Sequence, residues 1–178
     1  MIKWLVKSWS EVRCYLVFGN KYMSRIGKQQ LTVPAGVEIT LGNNAVTVKG
    51  PKGTLVRPVR DEVEIVFANG VVTSSPRRND KFSRALWGTY MSHINNMITG
   101  VVTPFEKKLL VEGVGFKWEV KGTTLHLSLG FSHPVTMEIP AGLTVTAEKG
   151  TLTVVGVDKE AVSLFASKVR QLKKPEPY

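Results

Sequence analysis

The side chains that most often do chemistry in proteins are few in this 178-residue chain and are widely spaced. The histidines are His93, His126 and His133, and Cys14 is the only cysteine. This spacing fits no zinc site or disulfide framework, and the chain has no phosphate-binding glycine loop. Ser132 lies beside His133, but adjacent residues in a turn rarely have the geometry that general base catalysis needs. The sequence therefore indicates no enzyme and no cofactor.

Positively charged side chains dominate the remaining chemistry. The 24 lysines and arginines outnumber the 14 aspartates and glutamates, giving a net charge of +10. This excess indicates a polyanionic partner, either nucleic acid or an anionic membrane surface, although a basic surface without a partner is the alternative. Within residues 1–22 the longest uncharged run, 14–20, is too short to span a bilayer. These residues also lack the pattern of a signal or transit peptide.

A segment near the end of the chain repeats a segment near its beginning. Residues 139–156 align with residues 33–50 at a constant offset of 106, and seven of the 18 positions are identical. Composition alone predicts roughly one identity. Two copies of so long a repeat indicate a duplicated fold. We therefore expect an α+β protein of two tandem similar domains, 23–103 and 104–178, each a small mainly antiparallel sheet packed with one main helix.

Hydrophobic periodicity predicts the elements of the first domain. Strands are expected at 37–41, at 45–49, at an edge position in 55–59, and in a hairpin of 63–67 and 71–74. A helix follows, capped by Asn79 or Asp80 and ended by Gly100. We expect Trp87 in the core rather than as a base-stacking platform. The predicted buried stripe is Phe82, Leu86, Tyr90, Ile94 and Met97.

The second domain is predicted in the same way. Its strands are expected at 109–111, 117–120, 125–129, 135–139, 143–147 and 151–155. The paired glycines Gly113 and Gly115 indicate a bulge or a close backbone approach. The last helix is expected to be capped by Asp158, with a buried stripe of Ala161, Phe165, Val169 and Leu172.

Two basic clusters lie near the ends of the predicted helices. The first cluster is Arg77, Arg78, Lys81 and Arg84, and the second is Lys168, Arg170, Lys173 and Lys174. The helix dipole gives cations no benefit at an N-terminus, so the first cluster indicates either a phosphate partner or a solvated face. The dipole favours cations at a C-terminus, but their number in the second cluster favours contact with phosphates over capping alone.

The chain resembles a known protein family over 23–178. The motifs that carry this resemblance occur in the family's order: Met23-Ser24-Arg25-Ile26-Gly27-Lys28, Val33-Pro34-Ala35-Gly36, Val48-Lys49-Gly50-Pro51-Lys52-Gly53, Phe105-Glu106-Lys107-Lys108, Gly113-Val114-Gly115-Phe116, Leu127-Ser128-Leu129-Gly130-Phe131-Ser132-His133-Pro134 and Pro175-Glu176-Pro177-Tyr178. They are similar to protein six of the large ribosomal subunit, in its bacterial form. Residues 1–22 have no counterpart there, and Met23 is the expected start, with an appended docking helix as the alternative.

The resemblance implies a fold, a function and a set of contact residues. It implies two similar α+β domains and no catalytic activity. Expected partners are large-subunit ribosomal RNA, neighbouring ribosomal proteins and nearby translation factors, with no membrane, in the cytoplasmic ribosome. Family members usually continue after Pro-Glu-Pro-Tyr into a lysine- and glycine-rich tail, whereas this chain stops at Tyr178. The candidate RNA contacts carried over are Lys107, Lys108, Lys117, Lys121, Ser132, His133, Lys168, Arg170, Lys173, Lys174 and Tyr178.

The leading hypothesis is thus a structural constituent of the large ribosomal subunit. It would bind ribosomal RNA through basic loops and the C-terminal end of its second domain. The alternative is a small basic RNA-binding protein that acts outside the ribosome. Co-sedimentation with large subunits after a high-salt wash distinguishes the two.

Overall fold

The computed structural model of the chain describes residues 25–42, 44–113, 115–148 and 150–174. The expected extension, residues 1–22, lies outside the described residues. The described chain begins with β1 (Leu31–Thr32), β2 (Glu38–Leu41), β3 (Ala45–Gly50), β4 (Gly53–Pro58), β5 (Val63–Ala68), β6 (Val71–Pro76) and α1 (Lys81–Val102). It continues with β7 (Phe105–Leu110), β8 (Lys117–Lys121), β9 (Thr124–Ser128), β10 (Val135–Glu138), β11 (Leu143–Glu148), β12 (Thr151–Gly156) and α2 (Lys159–Leu172).

The second half repeats the topology of the first half, strand for strand in chain order. The sheets of the first half have the orders β2-β3-β4 and β1-β6-β5, and those of the second half β8-β9-β10 and β7-β12-β11. Every pairing is antiparallel. Two similar α+β domains are therefore confirmed. The small sheet expected in each domain is divided into two sheets of three strands.

The repeated sequence segments occupy hairpins that are not equivalent in this topology. The first copy forms β2 and β3, which open the first meander, whereas the second copy forms β11 and β12, which precede the helix. Both copies begin with the same turn: Val37 N donates to Pro34 O and Leu143 N to Pro140 O, each at 3.3 Å. Gly36 and Gly142 supply the positive φ, +91° and +87°, that this turn requires. The repeat therefore encodes a local turn and hairpin.

Helix α1 covers both sheets of the first domain. Val48 and Val72 are fully buried against it, together with Met91 and Val101. Trp87 is also buried, and its Nε1 donates to Ser74 O at 2.8 Å. This confirms its expected place in the core.

The predicted stripe of α1 is wrong at its start. Phe82 is 53% exposed, whereas its neighbour Ser83 is buried. The true stripe starts at Ser83 and passes through Trp87, because the large indole and not the phenyl ring fills the space above the sheet. Asp80 is the N-cap, as one of the two alternatives predicted, although its side chain makes no capping hydrogen bond.

The end of α1 also differs from the prediction. The helix passes Gly100 and ends at Val102, with Thr103 as the C-cap. A Cβ atom at position 100 would overlap the carbonyl oxygen of Val157, which follows β12. Gly100 therefore permits a close approach of the two domains and does not end the helix.

The second domain has a separate core between its sheets and α2. Leu125, Leu152 and Val154 are fully buried there with Phe165 and Val162 from α2. The Asp158 cap is confirmed, since its Oδ1 accepts from Glu160 N at 2.9 Å. One stripe residue and one strand boundary were predicted wrongly. Ala161 is only half-buried because Val162 takes the core position. The strand predicted at 109–111 is β7, which starts at Phe105.

Candidate nucleic-acid interface

A groove of about 440 Å³ lies between the C-terminal end of α2 and strands β7 and β8. These elements meet because α2 packs on β7, the edge strand of its sheet. The residues that line the groove are Leu109, Leu110, Val111, Glu112, Phe116, Trp118, Leu127, Leu129, Val169, Arg170, Lys173 and Lys174. One wall is therefore apolar and the other is cationic.

The cationic wall comes from the second basic cluster. Arg170, Lys173 and Lys174 line the groove with one carboxylate among the described residues, that of Glu112. Arg170 Nη1 donates to Lys173 O at 2.8 Å, which fixes the guanidinium at the end of the helix. Cations at this end also interact favourably with the helix dipole. The fold thus holds a net positive charge at the groove.

The loop after β9 adds aromatic rings beside this wall. Lys173 Nζ lies 5.4 Å from the centroid of the Phe131 ring, a cation–π distance. The Phe131 and His133 rings stack with centroids 6.5 Å apart. Ser132, His133 and Phe131 are all exposed. The structure therefore brings Ser132 and His133 to the same end of the domain as Lys173.

The apolar wall contains an unsatisfied donor. Trp118 Nε1 is buried and has no hydrogen-bond partner among the described residues. Buried polar groups nearly always have a partner, so this one calls for an explanation. Leu110, at the mouth of the groove, is 73% exposed. The same wall thus combines a buried donor without a partner among the described residues and an exposed leucine.

Two of the predicted contact residues, Lys117 and Lys121, lie at opposite ends of strand β8. Lys117 precedes Trp118 and pairs in register with Ser128, so it lies at the groove end of the β8–β9 hairpin. Lys121 lies at the opposite end of β8, where its Nζ is 3.3 Å from Glu119 Oε2.

The remaining candidates are on the edge strand and on the helix. Lys107 and Lys108 belong to β7 and are exposed, with Lys108 Nζ 3.1 Å from Glu106 Oε1. Lys168 is exposed on α2 and does not line the groove. Tyr178 lies outside the described residues.

The predictions from the sequence did not include the apolar wall of the groove. They did not single out Leu110, Phe116, Trp118 or Phe131 as surface residues. A signal was present, because Phe116, Lys117 and Trp118 interleave aromatic rings with a cation, a pattern of surfaces that bind nucleic acids. Alternation alone cannot show which aromatic rings remain partly open to solvent.

A second charged cluster joins the two domains. Glu160 accepts from Arg57 Nη1 at 2.6 Å and Nη2 at 3.1 Å, and its Oε1 lies 2.8 Å from His93 Nδ1. The hydrogen bond from Arg57, aided by the charges of Arg57 and His93, lowers the pKa of Glu160 against the opposing effect of burial. Lys159 Nζ also donates to Asn96 Oδ1 at 3.2 Å. The sequence did not predict this contact between the domains.

Other kinds of site are not apparent in the part of the chain that the structure describes. Those residues contain no group of three or more histidine, cysteine, aspartate or glutamate side chains that could hold a metal ion. None of the helices in the described ranges is long and apolar enough to cross a membrane.

The two repeated domains and the basic groove define a binding protein of the α+β class. The family model for ribosomal protein L6 matches residues 33–103 and 112–178. The chain is 45% identical over 157 residues to large ribosomal subunit protein uL6 of Bradyrhizobium sp. (strain ORS 278), covering 88% of this chain and 89% of the relative. It is 43% identical, with the same coverage, to that of Caulobacter vibrioides (strain NA1000 / CB15N). The chain belongs to the ribosomal protein L6 family.

Family membership confirms several expectations from the sequence. The chain is a structural, non-enzymatic constituent of the large subunit of the cytoplasmic ribosome, where it associates with ribosomal RNA and ribosomal proteins. The match over both halves also agrees with the two-domain topology.

Proposed function

We propose that this protein binds large-subunit ribosomal RNA chiefly through the C-terminal end of its second domain. The observation that carries the proposal is the convergence of Arg170, Lys173 and Lys174 on one groove, where Glu112 is the one carboxylate that the described lining contains. Neutralisation of RNA phosphates by these cations releases counterions and supplies most of the affinity. Loops such as 130–133 then follow the shape of the folded RNA.

The contribution of the cationic wall is measurable as a salt slope. We expect Lys173→Ala and Lys174→Ala each to reduce the slope of log K against log salt by about 0.7–0.9. Filter binding of the full chain to large-subunit ribosomal RNA at several salt concentrations provides this slope. Unchanged slopes in both variants would remove the end of α2 from the interface.

Lys49→Ala is a matched control for these variants. Lys49 is an exposed lysine of the first domain, with its Nζ 3.9 Å from Glu38 Oε2. Its removal deletes the same charge far along the chain from the groove. We expect no change in slope for Lys49→Ala. The same assay with Lys107, Lys108, Lys117, Lys121 and Lys168 individually changed to alanine distinguishes contact lysines from solvated ones.

The place of action is tested by sedimentation. If the protein acts in the ribosome, it co-migrates with large subunits after a high-salt wash. A wholly free pool would instead support a basic RNA-binding protein that acts outside the ribosome.

We propose two further assignments that extend this function. Residues 23–103 and 104–178 are the two domains, supported by separate cores around Val48 and Leu152. Translation factors bind near the protein in the assembled subunit, as the family resemblance implies. Cleavage by a protease near residue 103 tests the first assignment, and crosslinking of a bound factor to the chain tests the second.

A further inference from the structure

We propose that the groove between α2, β7 and β8 receives one unstacked nucleotide of ribosomal RNA. Its base would enter between the apolar side chains, and its phosphate would lie on the cationic wall. This inference rests on the proposed function, since it specifies how the same end of the domain contacts RNA. It adds an insertion site to what is otherwise a phosphate-binding surface.

The groove has a volume and a lining that suit a nucleotide base. Its volume of about 440 Å³ is within the range of small-molecule sites, roughly 300–1,000 Å³. Phe116 and Trp118 provide aromatic surface, and Leu109 and Leu110 provide aliphatic surface. Proteins hold unstacked RNA bases on surfaces of this kind because every base has a π-face and an apolar body.

A second feature of the groove is the orphaned Trp118 donor. Its Nε1–H is buried without a partner among the described residues, and an unsatisfied buried donor is unfavourable. Bases carry carbonyl oxygens and ring nitrogens that accept hydrogen bonds. Trp118 also lines the groove, so a base that displaces the indole slightly as it enters would bring an acceptor to this buried N–H.

The cations at the mouth of the groove are complementary in charge to a phosphate. Arg170, Lys173 and Lys174 line the same groove as the aromatic rings, so a base on the rings would have its phosphate beside these cations. An apolar peptide would leave the three cations without an anionic partner. A nucleotide uses both walls at once.

Leu110→Glu tests the insertion site. Leu110 is 73% exposed at the mouth, so the substitution leaves the core intact and places a carboxylate where the nucleotide enters. We expect about a tenfold loss of affinity for large-subunit ribosomal RNA, the typical effect of losing one stacked base. Thermal unfolding should be unchanged, which verifies that the variant is folded.

Leu164→Glu is the matched control. Leu164 is 59% exposed on α2, lies outside the groove lining and undergoes the same change of charge. We expect its affinity to fall by less than about threefold, because an exposed charge away from the contact is screened. Trp118→Phe keeps an aromatic ring and removes the donor. It should lower affinity about fivefold with an unchanged salt slope, since base contacts release no counterions.

Ultraviolet crosslinking of the wild-type complex identifies the occupant. A nucleotide attached within residues 109–118 supports the proposal. Equal affinities of Leu110→Glu and Leu164→Glu, or crosslinks that avoid residues 109–118, would overturn it while leaving RNA binding intact. A crosslink from the groove to a neighbouring ribosomal protein would also overturn it. Failure of the wild-type chain to bind ribosomal RNA would instead refute the proposed function.

Discussion

At the scale of residues, the most informative side chains are those whose partners lie far away in the sequence. Glu160 lies in the first turn of α2 and contacts Arg57, from β4, and His93, from α1. Its carboxylate receives two hydrogen bonds from one guanidinium, a strong and geometrically specific arrangement. Because 46% of the Glu160 side chain is exposed, solvent screens the interaction and its contribution stays modest.

We expect Glu160→Gln to lower the free energy of unfolding by at most about 1 kcal/mol at pH 7. The lowered pKa of Glu160 means that the carboxylate stabilises the fold at pH values above its unfolded-state pKa. This contribution is lost as the pH falls through the folded-state pKa. The stability difference between wild type and variant should therefore vanish in acid.

Urea unfolding across the range from pH 7 to pH 3 measures this difference. Glu119→Gln is the control, since Glu119 is an exposed carboxylate in a pair with Lys121 within one strand. It should change stability little at any pH. A difference for Glu160→Gln that persists unchanged at pH 3 would show that charge is not the cause.

At the scale of elements, the contact between α1 and the residue after β12 sets how closely the domains approach. A helical glycine normally costs about 1 kcal/mol relative to alanine, so Gly100→Ala would stabilise an isolated helix. In the folded chain the added methyl group overlaps the backbone carbonyl of Val157, which cannot rotate away as a side chain could. The steric effect is the larger one.

We expect Gly100→Ala to destabilise the protein by roughly 1–3 kcal/mol, the usual cost of overpacking. Thermal unfolding monitored by circular dichroism provides the measurement. Thr99→Ala, at an exposed position of the same helix, should stay within about 0.5 kcal/mol of wild type. An increase in stability for Gly100→Ala would mean that the two backbones separate at no cost.

At the scale of the whole molecule, the domains are connected by polar and backbone contacts and by Val157, which packs against the core of the first domain. The cluster of Arg57, His93 and Glu160 and the pair of Lys159 and Asn96 lie across this interface. Complementary charges across an interface fix its register more than they add affinity. A fixed orientation would allow both domains to contact the ribosome at once.

We expect Arg57→Glu to reduce retention on large subunits after a high-salt wash, because two facing carboxylates repel each other across the interface. Its salt slope with isolated ribosomal RNA should remain that of wild type, since the groove is untouched. Lys49→Glu, an equal charge reversal on the first domain, is the comparison. Equal retention of the two variants would contradict a role for domain orientation.

The sequence by itself determined the local structure and the class of partner. The hairpin about Asn69 and Gly70 could be predicted because its turn needs two residues with positive φ, which the structure shows at 51° and 74°. The Asp158 cap was predictable for another local reason, because its side-chain oxygen accepts a hydrogen bond from a free backbone N–H of the first turn. The basic cluster on α2 needed only charge counting and helical period.

Only the tertiary structure decided which residues meet across the chain. Trp118 and Lys173 are 55 positions apart in the sequence. They line one groove because α2 packs on the edge strand β7. The internal repeat did not show which strands of the two domains are equivalent. Residues 33–50 and 139–156 share a turn and a hairpin but occupy non-equivalent strands. Sequence periodicity reports backbone preferences over a few residues, whereas the approach of distant elements depends on how whole buried faces fit together.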